Sequence, residues 1–99
     1  SGTVVAYSGD TGECDAIVEL GRKADLLILE CSFPDEEPRE GHLTPAACGR
    51  IAARAEPRQL VLVHMYPPCD RHDLAAEVGS VWGGQVTVSS DLKRIAVAG

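Results

Sequence analysis

Leu26-Leu27-Ile28-Leu29-Glu30-Cys31 is the stretch on which the fold turns. A strand on a half-solvated sheet alternates apolar and polar residues. An unbroken apolar run of this length instead suits a strand buried on both faces, as in a parallel sheet covered by crossover helices. Gln59-Leu60-Val61-Leu62-Val63-His64-Met65 repeats the pattern and is stopped by Pro67-Pro68. Upstream, Thr3-Val4-Val5-Ala6-Tyr7 is β-branched and aromatic and runs into the turn Ser8-Gly9-Asp10-Thr11-Gly12, which predicts an earlier strand.

Helical spacing fills the gaps. Cys14 to Lys23 carries Ile17, Leu20 and Ala24 on one side, with Gly21 weakening its end. Thr44-Pro45 is a helix start, because threonine caps free backbone N–H groups and proline suits the first turn. That helix runs to about Ala55, with Cys48, Ile51, Ala52 and Ala55 on one face, and Pro57 marks its end. Asp70 or Asp73 caps a third helix through Val81, with Leu74, Val78 and Val81 inward. Val86 and Val88, then Ile95 and Val97, alternate with polar residues on either side of Ser90-Asp91 and predict a closing hairpin. Residues 34–41, an acidic loop with two prolines, are too broken for an element.

The expected order is β-α-β-α-β-α-β-β: an α/β fold with a mainly parallel sheet and right-handed crossovers. Its 99 residues make one domain, 1–99, and the 44% apolar content is that of globular material. Fifteen acids against nine bases give a formal charge of −6, which argues against broad binding to a phosphate backbone. A nucleotide or RNA substrate held through metal ions stays compatible with it, because bound cations outweigh local protein charge. Cys14, Cys31, Cys48 and Cys69 form no CxxC pair and read as free thiols of a cytoplasmic protein, with Cys31 and Cys48 in the core. No apolar run reaches membrane-span length, and no signal peptide is expected from these residues.

Ligand sites of parallel sheets gather beyond the carboxyl ends of the strands. Asp10, His42 and His64 fall at or after three such ends. Asp10, between Gly9 and Gly12, is a metal ligand or the side chain of an Asx-turn. His64 interrupts an apolar strand and is a zinc ligand or a satisfied core histidine. His42 is a proton donor or acceptor, or a solvated residue just outside a helix cap. His72 and Asp73 suit surface and capping roles. Glu30 supports a ligand or reaches solvent at the sheet edge.

Taken together, Ser8-Gly9-Asp10-Thr11-Gly12, the strand 26–31 followed by Gly41-His42-Leu43-Thr44, and Leu60 to Pro68 resemble the later motifs of metallo-β-lactamase-fold hydrolases. The branch most similar is that of tRNase Z and related phosphodiesterases, and the resemblance covers essentially the whole chain in order. It implies a four-layer αββα sandwich of which these residues are the C-terminal half. It also implies two divalent metal ions, zinc first, with manganese or iron as alternatives. Asp10 would bridge the metals and His64 would ligate one. His42 would assist the phosphodiester chemistry, and Glu30 stands where that branch has its HEAT motif. Two departures stand out: Leu29 replaces that motif's histidine, and the late run reads His64-Met65-Tyr66-Pro67-Pro68 where tRNase Z typically shows serine-arginine-tyrosine.

The family's HxHxDH motif is not among these residues. The expectation is therefore a hydrolase portion that is inactive until the N-terminal half joins it. Its apolar sheet face would be covered by that half, by another chain or by a second copy. The alternative from a different class is a non-catalytic α/β binding or interaction module in which Asp10 and His64 are structural.

Overall fold

Four strands and three helices alternate along the chain, in the order β1 (Val5–Tyr7), α1 (Asp15–Gly21), β2 (Leu26–Glu30), α2 (Pro45–Ala55), β3 (Gln59–Val63), α3 (Leu74–Gly79) and β4 (Gln85–Val88). The structure, a computed structural model, describes residues 4–7, 13–36, 38–63, 69 and 73–88. The strands lie in the order β1-β2-β3-β4, and every neighbouring pair is parallel. Each crossover thus steps the same way across the sheet. Right-handed crossovers that all step one way set their helices on one face.

The core has this form. Ala6, Leu27, Leu29, Leu60 and Leu62 point into one cluster with Ile17 and Val18 of α1, Cys48, Ile51, Ala52 and Ala55 of α2, and Leu74 and Val78 of α3. Val86 and Val88 pack against it. Because side chains alternate along a strand, Val5, Tyr7, Leu26, Ile28, Glu30, Val61 and Val63 belong to the opposite face. Leu26 and Val61 are buried yet stand outside the cluster, whereas Val5 and Tyr7 are each 53% exposed. A second, mostly apolar face therefore backs the sheet.

Local chemistry explains the helix limits. Thr44 caps α2 by accepting from the Ala47 N–H at 3.3 Å, Pro45 opens the first turn, and Asp35 Oδ1 accepts from the Ala46 N–H at 2.8 Å. Glu56, at φ 56°, then turns the chain out of the helix. Asp73, rather than Asp70, caps α3, accepting from the Ala76 N–H at 3.1 Å.

Two helices are shorter than their spacing predicts. The first stops at Gly21 and buries Ile17, Val18 and Gly21, leaving Leu20 54% exposed. The glycine is a packing requirement, since a Cβ there would lie 2.8 Å from Leu27 Cδ1. The third stops at Gly79, so Val81 lies beyond it and is 40% exposed rather than inward. Val81 still rests on Gly49, where a Cβ would come within 2.8 Å of Val81 Cβ, so α2 and the end of α3 approach through that gap. β4 forms as expected. The second strand of the predicted hairpin, with Ile95 and Val97, lies outside the described residues.

Candidate functional site

The carboxyl ends of the strands are brought to one rim by the registers Tyr7↔Ile28 and Glu30↔Val63. Past the end of β2, the Cys31 N–H donates to the Val63 carbonyl at 3.0 Å, so the β2–β3 ladder extends one residue further. Cys31 also forms an isolated parallel bridge with Leu43, whose carbonyl accepts from the Ser32 and Phe33 N–H groups at 3.1 and 3.4 Å. The loop after β2 is thereby folded back on the strand that precedes it.

That return deposits His42 at the rim. The His42 N–H donates to the Arg39 carbonyl at 3.1 Å, closing a turn in which Gly41 adopts φ 79°. This is the third position of a type II turn, where a side chain is strained and glycine is not. The His42 imidazole is half-buried and meets the Phe33 ring edge-on, with centroids 5.3 Å apart and planes at 77°. Arg39 lies over the same ring, with Cζ 5.4 Å from its centroid. Glu30, only 6% exposed, ends the strand alongside. Phe33 and Arg39 are not marked as site residues by any periodicity or motif in the sequence. The signal was present as an aromatic and a cation flanking an acidic loop, but only the turn at Gly41 makes them neighbours.

Of the other candidates, Asp10, His64 and His72 lie outside the described residues. Tyr7 and Val63, the nearest described residues before Asp10 and His64, are the last residues of β1 and β3 at this rim. Among the described residues no group of three His, Cys, Asp or Glu side chains is placed to hold a metal ion.

The buried thiols are structural, while Cys14 is exposed. Cys31 and Cys48 are fully buried, as expected, and the Cys48 thiol's hydrogen bond to Cys31 together with burial pushes it well above its ordinary value. A thiol so raised is protonated and unreactive. Cys69 Sγ donates to the Ser32 carbonyl at 3.3 Å and braces the segment before the acidic loop. The Ser32 hydroxyl is buried and has no hydrogen-bond partner among the described residues.

Ion pairs line the outer helical surface. Arg50 grips Glu13 with Nε and Nη2, at distances of 2.8–3.2 Å, and holds its carboxyl below the usual value. Arg54 pairs with Asp15 at 2.9 Å, and Lys23 with Glu56. Exposed pairs of this kind contribute little, because solvent screens them. They tie α1 and the segments flanking it to α2 and its end.

A parallel sheet with one helical layer, an apolar second face and a histidine turned back against its second strand defines half of a metallo-β-lactamase-type sandwich. Residues 1–65 match the β-lactamase superfamily domain, and the chain belongs to that superfamily. It is 38% identical over 103 residues to a ribonuclease Z of Thermobifida fusca, a match covering 97% of this chain and 32% of that one. Among solved structures it is similar to the metallo-β-lactamase-fold protein YhfI from Bacillus subtilis, with TM-score 0.79 and 31% identity over 86% of this chain and 36% of that one. It is also similar to the short form of human tRNase Z, with TM-score 0.69 and 25% identity over 98% of this chain and 34% of that one. The chain thus spans about a third of the curated relatives it matches, 31% and 32% of the first two. That coverage fits a C-terminal portion. No helix among the described residues is long and apolar enough to cross a membrane.

Proposed function

We propose that this chain is the C-terminal portion of a metal-dependent phosphodiester hydrolase, with His42 as its proton-transfer residue. The hydrolase class follows from the superfamily, whose members typically depend on two metal ions. The choice of phosphodiesters is supported by the likeness to ribonuclease Z proteins. The observation that carries the reading is the return of residues 39–43 onto the carboxyl end of β2, which sets a half-buried imidazole at the rim where β1 and β3 also end.

Asp10 and His64 are the proposed metal ligands of this portion. A carboxylate and an imidazole are donors that zinc, manganese and iron accept, so the set fits in kind. Two protein ligands are fewer than the three of a catalytic zinc, so the rest of the protein must supply the others. Two metal ions held there would acidify a water and stabilise charge on the phosphoryl oxygens. His42 would give or take a proton at the ester oxygens, and Glu30 would orient a neighbouring group. The mostly apolar face that holds Val5, Tyr7, Ile28 and Val63 is the surface against which the N-terminal half would pack.

The test is hydrolysis of bis(p-nitrophenyl) phosphate by the full-length protein. The expected result is turnover that a chelator abolishes and added zinc, manganese or iron restores. Chelator-resistant turnover would remove the metal from the mechanism. No turnover with any of the three metals would remove the phosphodiester.

A further inference from the structure

The strongest unabsorbed feature is the cation beside His42. Six lysines and arginines fall among the described residues, and five of them are matched to carboxylates. Arg22 pairs with Glu19, Lys23 with Glu56, Arg50 with Glu13, Arg54 with Asp15 and Arg58 with Asp25. Arg39 is the exception among the described residues, in a chain with an excess of acids. Two described carboxylates near it in sequence, Asp35 and Glu40, form no ion pair with it. Asp35 uses Oδ1 to hold the start of α2, and Glu40, next to Arg39, makes no ion pair with it.

What Arg39 does contact is the Phe33 ring, with Cζ 5.4 Å from the centroid. A guanidinium laid on an aromatic face is steadied by the ring quadrupole while its N–H donors stay available at the edges. The same ring meets the His42 imidazole edge-on, and the His42 N–H bonds the Arg39 carbonyl. One phenyl ring and one type II turn therefore fix an exposed guanidinium and a half-buried imidazole relative to each other. Five planar donors in a rigid fork match a phosphate better than any other anion-binding side chain.

We infer that Arg39, resting on Phe33, is the phosphate-binding residue of the His42 site. It holds a nonbridging oxygen of a phosphodiester while His42 serves the ester oxygen. This assignment rests on the phosphodiesterase reading for its substrate, and on Arg39 alone for the anion. Phe33 is a positioning residue that acts through the guanidinium. The local carboxylates add selectivity, because their charge repels anions that Arg39 does not grip directly.

The experiment compares Arg39→Ala, Arg39→Lys and Arg22→Ala in the full-length protein. The readouts are kcat and KM on bis(p-nitrophenyl) phosphate and on a short single-stranded RNA, with inorganic phosphate as a competing inhibitor. Arg39→Ala should raise KM and the phosphate inhibition constant on the order of tenfold, with a smaller fall in kcat, as loss of ground-state binding does. Arg39→Lys should recover part of the loss, since it keeps the charge but not the fork. Arg22→Ala removes the same charge elsewhere and should leave all three constants unchanged.

A raised KM on RNA and a raised phosphate inhibition constant, with KM on the small diester unchanged, assign Arg39 to a flanking phosphate rather than the scissile one, and the anion site stands. A protein that binds inorganic phosphate through Arg39 but cleaves neither substrate keeps the anion site and loses the phosphodiesterase reading. Unchanged KM and inhibition constant in Arg39→Ala, or equal changes in Arg22→Ala, would overturn the inference.

Discussion

Replacing His42 with alanine should lower kcat of the full-length protein on a phosphodiester by roughly 10²–10⁴-fold, the usual contribution of a positioned proton-transfer group. The fold should survive. The His42 side chain is half-buried, and its backbone holds the loop through an N–H that alanine retains. The thermal midpoint should therefore move little, and bound metal should stay constant, because His42 is not one of the proposed ligands. A kinetic assay paired with metal analysis checks this. A kcat within a few-fold of the unsubstituted protein would show that the turn at Arg39–His42 is only a structural return of the chain.

Leu62→Ala should cost about 2–5 kcal/mol of stability, the range for deleting a fully buried leucine. Leu62 has no exposed surface, belongs to the common core, and pairs in register with Leu29 on β2 and Val88 on β4. Helices cover it on one side, and neighbouring strands flank it on both others. Little nearby can collapse into the gap without breaking a ladder. Domains are stable by only about 5–15 kcal/mol, so the loss is a large fraction of the whole. A urea titration reads it as a lower midpoint at unchanged slope. A change of under about 0.5 kcal/mol is that of a surface position, and would mean that the β3 core face is not packed as described.

The fold was legible because it is written in local rules. Unbroken apolar runs at 26–29 and 60–63 became β2 and β3, and Thr44-Pro45 and Glu56-Pro57 bound α2 on both sides. Errors came where tertiary packing overrode periodicity. Leu20 has the helical spacing of a core residue but is exposed, because α1 turns Gly21 toward Leu27 instead. Helical spacing places Val81 in α3, yet the helix ends at Gly79, before that position. The site was legible in part. His42 could be flagged by its place after a strand, but its neighbours Phe33 and Arg39 could not. Their approach depends on a positive-φ turn at Gly41 and on the Cys31–Leu43 bridge, neither of which has a period to read. Asp10 and His64 carry their roles from motif resemblance and from the strands that lead to them.

Whether this portion supplies metal ligands is read from the metal content of the full-length protein with Asp10→Asn and His64→Ala, alone and together. The unsubstituted protein should hold about two ions per chain, each single variant should lose metal, and the double variant should keep no stable dinuclear site. Full metal content in the double variant would contradict this, since no part of the metal centre would then come from this portion of the protein.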